Sequence, residues 1–129
     1  MKLAAAYLAV AGVLLALDVT WILYVAHEFY ASRIAALLAD RANLLLVAFY
    51  FAAVTAAVVI LAVEPAVKAR DGTKAIKLGA VLGLVVFASF DVVSLAFLQD
   101  YSQPFALLDG VWDIAVVAVA ARTGFAAVA

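Results

Sequence analysis

Residues 75–98 read AIKLGAVLGLVVFASFDVVSLAFL, and the predicted architecture follows from this segment. A helix needs ~20 predominantly apolar residues to cross the hydrocarbon core of a bilayer, and this stretch meets that length. It also carries Asp91, which has no lysine or arginine close to it in the sequence. A charged side chain at the centre of a bilayer costs ~2.5–3.5 kcal/mol on insertion scales. The stretch therefore predicts a transmembrane helix whose carboxyl group faces protein rather than lipid.

Three further apolar runs of similar length predict four spans in all, at about 3–26, 42–63, 75–98 and 104–128. Lipid offers the backbone no hydrogen-bond partners, so each span is expected to be a helix. The connections are short, and the second contains the helix breakers Pro65 and Gly72. The start of the chain also resembles a signal peptide, but its long apolar run and Asp18 favour a retained span. We expect an all-α polytopic membrane protein, a single integral domain over 1–129 that forms an antiparallel bundle of four transmembrane helices.

The composition excludes several classes of function. Hydrophobic residues make up 71% of the 129-residue chain and charged residues 13%, whereas soluble domains average ~45–50% and ~25%. The net charge is −1 and the basic residues form no stripe, so we expect no nucleic-acid partner. The chain has no cysteine and one histidine, His27, which excludes thiolate sites, iron–sulfur clusters and multi-histidine metal sites within one chain. The sequence predicts no metal site and identifies no cofactor.

The basic residues predict the orientation in the lipid bilayer, which is the first expected partner. Arg33 and Arg41 fall on one side of the predicted bundle. The other six lysines and arginines fall on the opposite side, namely Lys2, Lys68, Arg70, Lys74, Lys77 and Arg122. Because cytoplasmic loops carry the excess of basic residues, both termini are expected in the cytoplasm.

Four aspartates are predicted to lie at a similar depth in spans one, three and four. With a rise of ~1.5 Å per residue, they lie roughly 8–14 Å below the outer surface. Tyrosine, tryptophan and serine side chains are expected at the same level. No complete catalytic constellation is present, so no catalytic residue is predicted. The predicted ligand-binding or proton-relay residues are Asp18, Trp21, Tyr50, Asp91, Ser94, Asp109, Trp112 and Asp113.

Two interpretations of this acidic group stay open. Carboxyl groups that are close together in a low dielectric do not all ionise, so protonated acids could simply hydrogen-bond between helices, at ~0.6 kcal/mol per contact. Alternatively, the group holds a proton relay, a cation or a polar head group. In addition, Leu17-Asp18-Val19 aligns with Phe90-Asp91-Val92, which suggests two related helical hairpins in tandem.

Small residues form a ridge at the start of the third span. Ala75, Gly79 and Gly83 repeat every four positions, so they share one helix face and let another helix approach closely. Tight packing inside the bundle is the simpler interpretation. Homodimerisation through this ridge is the alternative, and assembly into a larger membrane complex also stays open.

The polar positions resemble a bacterial family of small membrane proteins, domain of unknown function 2177 (DUF2177). In the first half of the chain the shared motifs are Asp18-x-x-Trp21, Phe29-Tyr30, Leu37-Leu38-Ala39-Asp40-Arg41-x-Asn43 and Phe49-Tyr50. In the second half they are Leu78-Gly79-Ala80-x-x-Gly83-Leu84, Phe90-Asp91-x-x-Ser94-Leu95-Ala96, Pro104 and Leu108-Asp109-x-x-Trp112. The resemblance covers nearly the whole chain. It implies four transmembrane helices in the bacterial inner membrane and no established activity.

The chain departs from the family pattern at three polar positions. Phe90 stands where the family usually has tyrosine, Ser94 where it has asparagine, and Asp113 where it has glycine. We therefore do not expect any ligand that the family shares to carry over directly to this chain, although Asp113 supplies polarity one turn deeper. The residues whose importance the resemblance implies are Asp18, Trp21, Tyr50, Asp91, Asp109 and Trp112.

Three functions remain after these exclusions. The first is a non-enzymatic accessory or binding component whose Asp/Tyr/Trp pocket takes a polar ligand, a lipid head group or a partner helix. The second is a carrier of protons, cations or small solutes that uses the aspartates as a relay. The third is a lipid-modifying membrane enzyme, which ranks last because metal ligands and an activated nucleophile are lacking.

Overall fold

A computed structural model of the chain describes residues 2–21, 23–24, 44–98 and 103–129. Within these ranges, four helices are long and apolar enough to cross a membrane. We number them α1 (Leu3–Trp21), α2 (Leu44–Ala69), α3 (Gly72–Phe97) and α4 (Gln103–Val128). The predicted all-α architecture with four membrane-spanning helices is confirmed. The family motifs between Phe29 and Asn43, together with His27, Arg33 and Arg41, lie outside the described residues.

The second helix continues beyond the predicted end of its span at Val63. Its backbone widens into a π-helical turn at Val59–Val63 and then resumes as α-helix over Glu64–Ala69. Pro65 falls in the first turn of that resumed segment, where its missing N–H group is tolerated. Pro65 therefore does not break the helix, and Glu64 pairs with Lys68 at 3.1 Å across one turn.

A tight turn joins α2 to α3 and fixes them as antiparallel neighbours. Arg70 adopts a left-handed conformation with φ of 53°, which ends α2. The Asp71 side chain then accepts hydrogen bonds from the backbone N–H groups of Thr73 and Lys74, at 2.9 and 3.3 Å. This is an N-cap, and it starts α3 at Gly72, three residues before the predicted span. We call this end of the bundle the turn end.

The small-residue ridge of α3 packs against α4 inside the bundle. A Cβ atom on Gly79 would lie 2.8 Å from the Ala121 Cβ and from the Val117 carbonyl oxygen. A Cβ atom on Gly83 would lie 2.6 Å from the carbonyl oxygen of Asp113. These distances leave room only for a hydrogen atom at Gly79 and Gly83. The ridge is therefore covered by α4. Packing inside the bundle therefore accounts for Gly79 and Gly83, and the oligomeric state stays a prediction.

A core of small and β-branched side chains fills the half of the bundle nearest the turn end. Val10 of α1, Val63 of α2 and Ala121 of α4 are fully or almost fully buried in it. Gly124 lets three helices meet, because a Cβ atom there would lie 2.7 Å from Val10 and 2.9 Å from Val63. Large apolar side chains cover the exterior instead, as expected for a protein whose solvent is lipid.

The other half of the bundle is more open, because α2 and α3 separate there. The first portion of α2, Leu44–Val58, packs against α1, and the Tyr7 hydroxyl donates to the Ala52 carbonyl at 3.2 Å. Extensive contact between α2 and α3 comes only from Val59–Val63 and Glu64–Ala69. A cleft therefore opens between the two helices on the side away from the turn end.

Candidate functional site

Asp91 lies at the contact between α3 and α4 and is 0% exposed. It belongs to a second π-helical turn, Ala88–Val92, and such turns are frequent at functional sites. Carboxylate oxygens of Asp91, Asp109 and Asp113 all lie within 4.8 Å of one another. Two helices thus place three carboxyl groups in one small volume, and these are residues for which the sequence predicts a similar depth in the membrane.

Glycines allow this approach of the acids. Gly83 sits directly on the backbone of Asp113, with no room for a side chain between them. Gly110, which follows Asp109, leaves room for the side chain of Phe87 instead, because a Cβ atom there would lie 2.7 Å from the Phe87 ring. The close backbone contact between α3 and α4 therefore sets the spacing of the carboxyl groups. Gly110 was not identified from the sequence.

Asp18 joins the group from α1 through a pair of stacked indoles. Trp21 and Trp112 stack with ring centroids 4.8 Å apart and an interplanar angle of 14°. The Trp112 indole N–H faces Asp18, and the Trp21 indole N–H faces Asp109. The two Asp-x-x-Trp motifs, which lie on antiparallel helices, therefore interlock crosswise. Both indole nitrogens are buried, and within the described residues neither makes a hydrogen bond of good geometry.

A cavity of about 720 Å³ lies beside these acids, and we call it the acid cavity. Ligand sites typically measure ~300–1,000 Å³ and combine apolar walls with a few polar groups. The walls here are mostly valine, leucine and aromatic side chains from α1, α2 and α3. The polar side chains that line the cavity are Asp18, Tyr50, Ser89, Asp109 and Asp113.

The cavity opens sideways, between α2 and α3. Its lining includes Leu46 and Tyr50 of α2, which are 64% and 46% exposed. Across the cleft it includes Val85 and Phe90 of α3, which are 55% and 48% exposed. These side chains lie on the surface of the described bundle at the level of the apolar spans. Within the described part of the chain, the cavity is therefore open on this side.

The structure brings together most of the predicted site residues. Asp18, Trp21, Tyr50, Asp109 and Asp113 line the acid cavity, while Asp91 and Trp112 lie behind its wall.

Ser94 differs from this group. It is half-buried and is not among the described side chains that line the cavity, whereas Ser89 is. Ser94 lies five residues beyond Ser89 on the same helix, and its predicted role in ligand binding stays a prediction. The Ser89 hydroxyl donates to the Val85 carbonyl at 2.8 Å.

The chemistry of the site follows from its oxygen atoms. Asp91, Asp109 and Asp113 offer the hard oxygen ligands that Mg²⁺ and Ca²⁺ use. Carboxyl groups that share protons explain the same short separations, so the geometry alone does not assign a metal. In either case the cavity presents hydrogen-bond acceptors at its floor and apolar side chains at its mouth.

Comparison with known proteins places the chain in a family. Neither the curated proteins nor the solved structures contain a match to it. A family model described as "Predicted membrane protein (DUF2177)" matches residues 3–126, which is nearly the whole chain. This agrees with the motifs that the sequence shares with that family. The chain therefore belongs to the DUF2177 family of predicted membrane proteins.

Proposed function

We propose that this protein is a non-enzymatic membrane component that binds a ligand from the bilayer in the acid cavity. The observation that carries the proposal is a cavity of about 720 Å³ with Asp18, Asp109 and Asp113 in its wall, within membrane-spanning helices. A carboxylate at this depth in a membrane costs free energy unless another polar or charged group compensates its charge. A polar ligand group at the cavity floor would supply that compensation.

The shape of the bundle favours binding over a purely structural role for the acids. If the carboxyl groups only held helices together, α2 could close over them as it does over the core at the turn end. Instead, Leu44–Val58 stays away from α3 and leaves Asp109 and Asp113 at the edge of an open volume. Empty space of this size forfeits packing contacts, so an occupant would stabilise the bundle.

We further propose the bacterial inner membrane as the setting, with both termini in the cytoplasm. The excess of basic residues at the turn end supports this orientation. With little chain outside the spans, the protein would act with partners, either as a homodimer or within a larger membrane complex.

A carrier of protons, cations or small solutes is the second candidate. It is favoured by the spatial series of carboxyl groups from three helices, which runs from Asp91 through Asp109 and Asp113 to Asp18. Transport would also require a path through the core at the turn end. There, Leu14 and Val58 are 1% exposed, and a small cavity whose lining includes Leu14, Asp113 and Val117 has a volume of only about 10 Å³. A carrier would therefore need a second conformation in which this core opens.

Native mass spectrometry of gently extracted protein tests the binding proposal. The wild-type chain is expected to carry the mass of a bilayer component. Ser89→Phe, which fills the cavity, should reduce the occupied fraction strongly. Ala88→Phe is the matched control, because Ala88 is exposed on the same π-helical turn but does not line the cavity.

Two outcomes would contradict the proposal. One is equal occupancy in both phenylalanine variants, which would place the bound molecule elsewhere. The other is an unoccupied wild-type chain that leaks protons into vesicles, followed with a pH-sensitive dye, where Asp91→Asn abolishes the leak. That pair of results would support the carrier instead.

A further inference from the structure

We propose that the ligand of the acid cavity is a lipophilic amine, an amphiphile with a cationic head group and an apolar chain. This inference deepens the binding function proposed above and rests on it. Three features of the cavity carry it: the sign of its charge, its aromatic walls and its size.

Every charge that the described lining of the cavity can carry is negative. Asp18, Asp109 and Asp113 line it, and no lysine or arginine does so among the described residues. The described basic side chains lie at the turn end, where Lys68 pairs with Glu64 and Arg122 lies over the Phe125 ring at 5.2 Å. A cationic head group would compensate acids that the described chain leaves without a basic neighbour. An anionic phosphate or carboxylate head group would be repelled.

The walls next to the acids are aromatic. Trp21, Tyr50 and Phe51 line the cavity, and Tyr50 lies close enough to Asp18, Asp109 and Asp113 to interact electrostatically with all three. The face of an aromatic ring attracts cations within ~6 Å, most strongly for tryptophan. Carboxylates beside aromatic faces therefore select an ammonium group over a neutral hydroxyl group.

The size of the cavity favours an amphiphile over a bare ion as the ligand. One water molecule needs only ~10–15 Å³ of such space, and a dehydrated metal ion is of similar size. A volume of about 720 Å³ would leave the apolar walls facing empty space around an ion. An alkyl chain would instead cover Val47 and Val85 at the mouth and extend into the bilayer between α2 and α3.

Intrinsic fluorescence gives a direct test, because Trp21 and Trp112 are the two tryptophans of the chain and stack beside the cavity. The full chain is placed in phosphatidylcholine nanodiscs and titrated with dodecylammonium, dodecanol or dodecyl sulfate, which share one alkyl chain and differ in head-group charge. We expect a saturable change with dodecylammonium and only the non-saturating effect of partitioning with the other two.

Single charge removals locate the binding site. Asp109→Asn and Asp113→Asn should each weaken dodecylammonium binding by about tenfold or more, as expected for loss of one charge-assisted contact. Asp71→Asn is the control, because it removes a carboxylate at the turn end and asparagine still caps a helix. If both cavity variants fail to fold, the comparison of the three amphiphiles on wild-type protein still tests the preference for a cationic head group.

Different results overturn different elements of the proposal. Equal saturable responses to all three amphiphiles, or unchanged affinity in both asparagine variants, would overturn the cationic ligand but leave the binding function standing. No saturable response to any amphiphile, while native mass spectrometry still finds a bound bilayer component, would also overturn the cationic ligand alone. No response together with an unoccupied wild-type chain would overturn the binding function as well.

Discussion

At the scale of a single residue, Gly83 determines how closely α3 and α4 approach each other beside the acid cavity. A Cβ atom there would come within 2.6 Å of the Asp113 carbonyl oxygen and of the Ile114 Cα atom. Both contacts are with backbone, which cannot rotate away as a side chain can. The absence of a side chain at this position therefore lets α3 approach α4, and that approach brings Asp91 to Asp109 and Asp113.

The first prediction concerns this contact. Gly83→Ala should lower the free energy of unfolding by ~1–3 kcal/mol, the usual cost of overpacking a close contact. Gly12→Ala is the matched control, because a Cβ atom on Gly12 meets nothing within 4 Å. Alanine is favoured over glycine within helices by ~1 kcal/mol, so the control should be neutral or stabilising. Thermal unfolding in detergent measures both, and equal effects would contradict the proposed packing.

The two serines of α3 show what sequence could predict at the residue scale. Aspartates in apolar spans are conspicuous because of their cost, so all four acids of the site could be identified from the sequence alone. Ser94 was predicted from its spacing relative to Asp91, but Ser89 lines the cavity instead. Spacing along one helix does not indicate which part of that helix borders a cavity, because this depends on where α2 and α3 separate.

At the scale of elements, the relation between α2 and α3 matters most for the proposed function. The two helices are held together at the turn end by the capped turn at Arg70 and Asp71. Toward the other end, α2 follows α1 instead of α3. The cleft that results is the route by which a molecule would enter from the bilayer.

A second prediction tests that route with lipids that carry bromine on their acyl chains. Acyl chains that reach into the cleft should quench the fluorescence of Trp21 and Trp112 in reconstituted protein. Val47→Phe narrows the mouth and should reduce quenching. Leu8→Phe, at an exposed position of α1 that does not line the cavity, should leave it unchanged. Equal quenching in both variants would mean that lipid does not enter between α2 and α3.

The helix boundaries show where sequence patterns stop being sufficient. Hydropathy predicted the approximate extent of α3 and α4, because bilayer thickness sets the length of an apolar span. It ended the second span at Val63, since Glu64 and Pro65 are polar or helix-breaking in most contexts. The helix continues to Ala69 because a π-helical turn precedes Pro65. Such turns have no simple sequence period, so hydropathy could not indicate them.

At the scale of the whole molecule, the fold was more predictable than the cavity. Four apolar spans with short connections leave few arrangements other than an antiparallel bundle, and a constant helical rise gives the depth of each acid. The crosswise contact of Trp21 with Asp109 and of Trp112 with Asp18 depends on how α1 and α4 rotate about their axes. The lateral opening depends on how α2 tilts. Neither rotation nor tilt is fixed by hydropathy.

A third prediction concerns the orientation of the whole bundle. Reporter fusions after Arg70 should be active in the cytoplasm, and fusions after Gln103 should be active outside it. The physical reason is the six-to-two distribution of basic residues between the two ends of the predicted bundle. The reverse pattern of activity would place the acid cavity in the cytoplasmic half of the membrane.

The proposed site requires that acids from separate helices converge, and thiol bridging between two of these positions measures that convergence. The chain has no cysteine of its own. The pair Asp91→Cys and Asp109→Cys can therefore be treated with dibromobimane, which becomes fluorescent when it bridges two nearby thiols. The control pair combines Asp91→Cys with Leu107→Cys, because Leu107 is on the same turn of α4 as Asp109 but is 67% exposed.

We expect a fluorescent bridge within a single chain for the first pair, verified by intact mass, and none for the control pair. Equal bridging in both pairs, or none in the first, would show that Asp91 and Asp109 do not meet and would contradict the site described above.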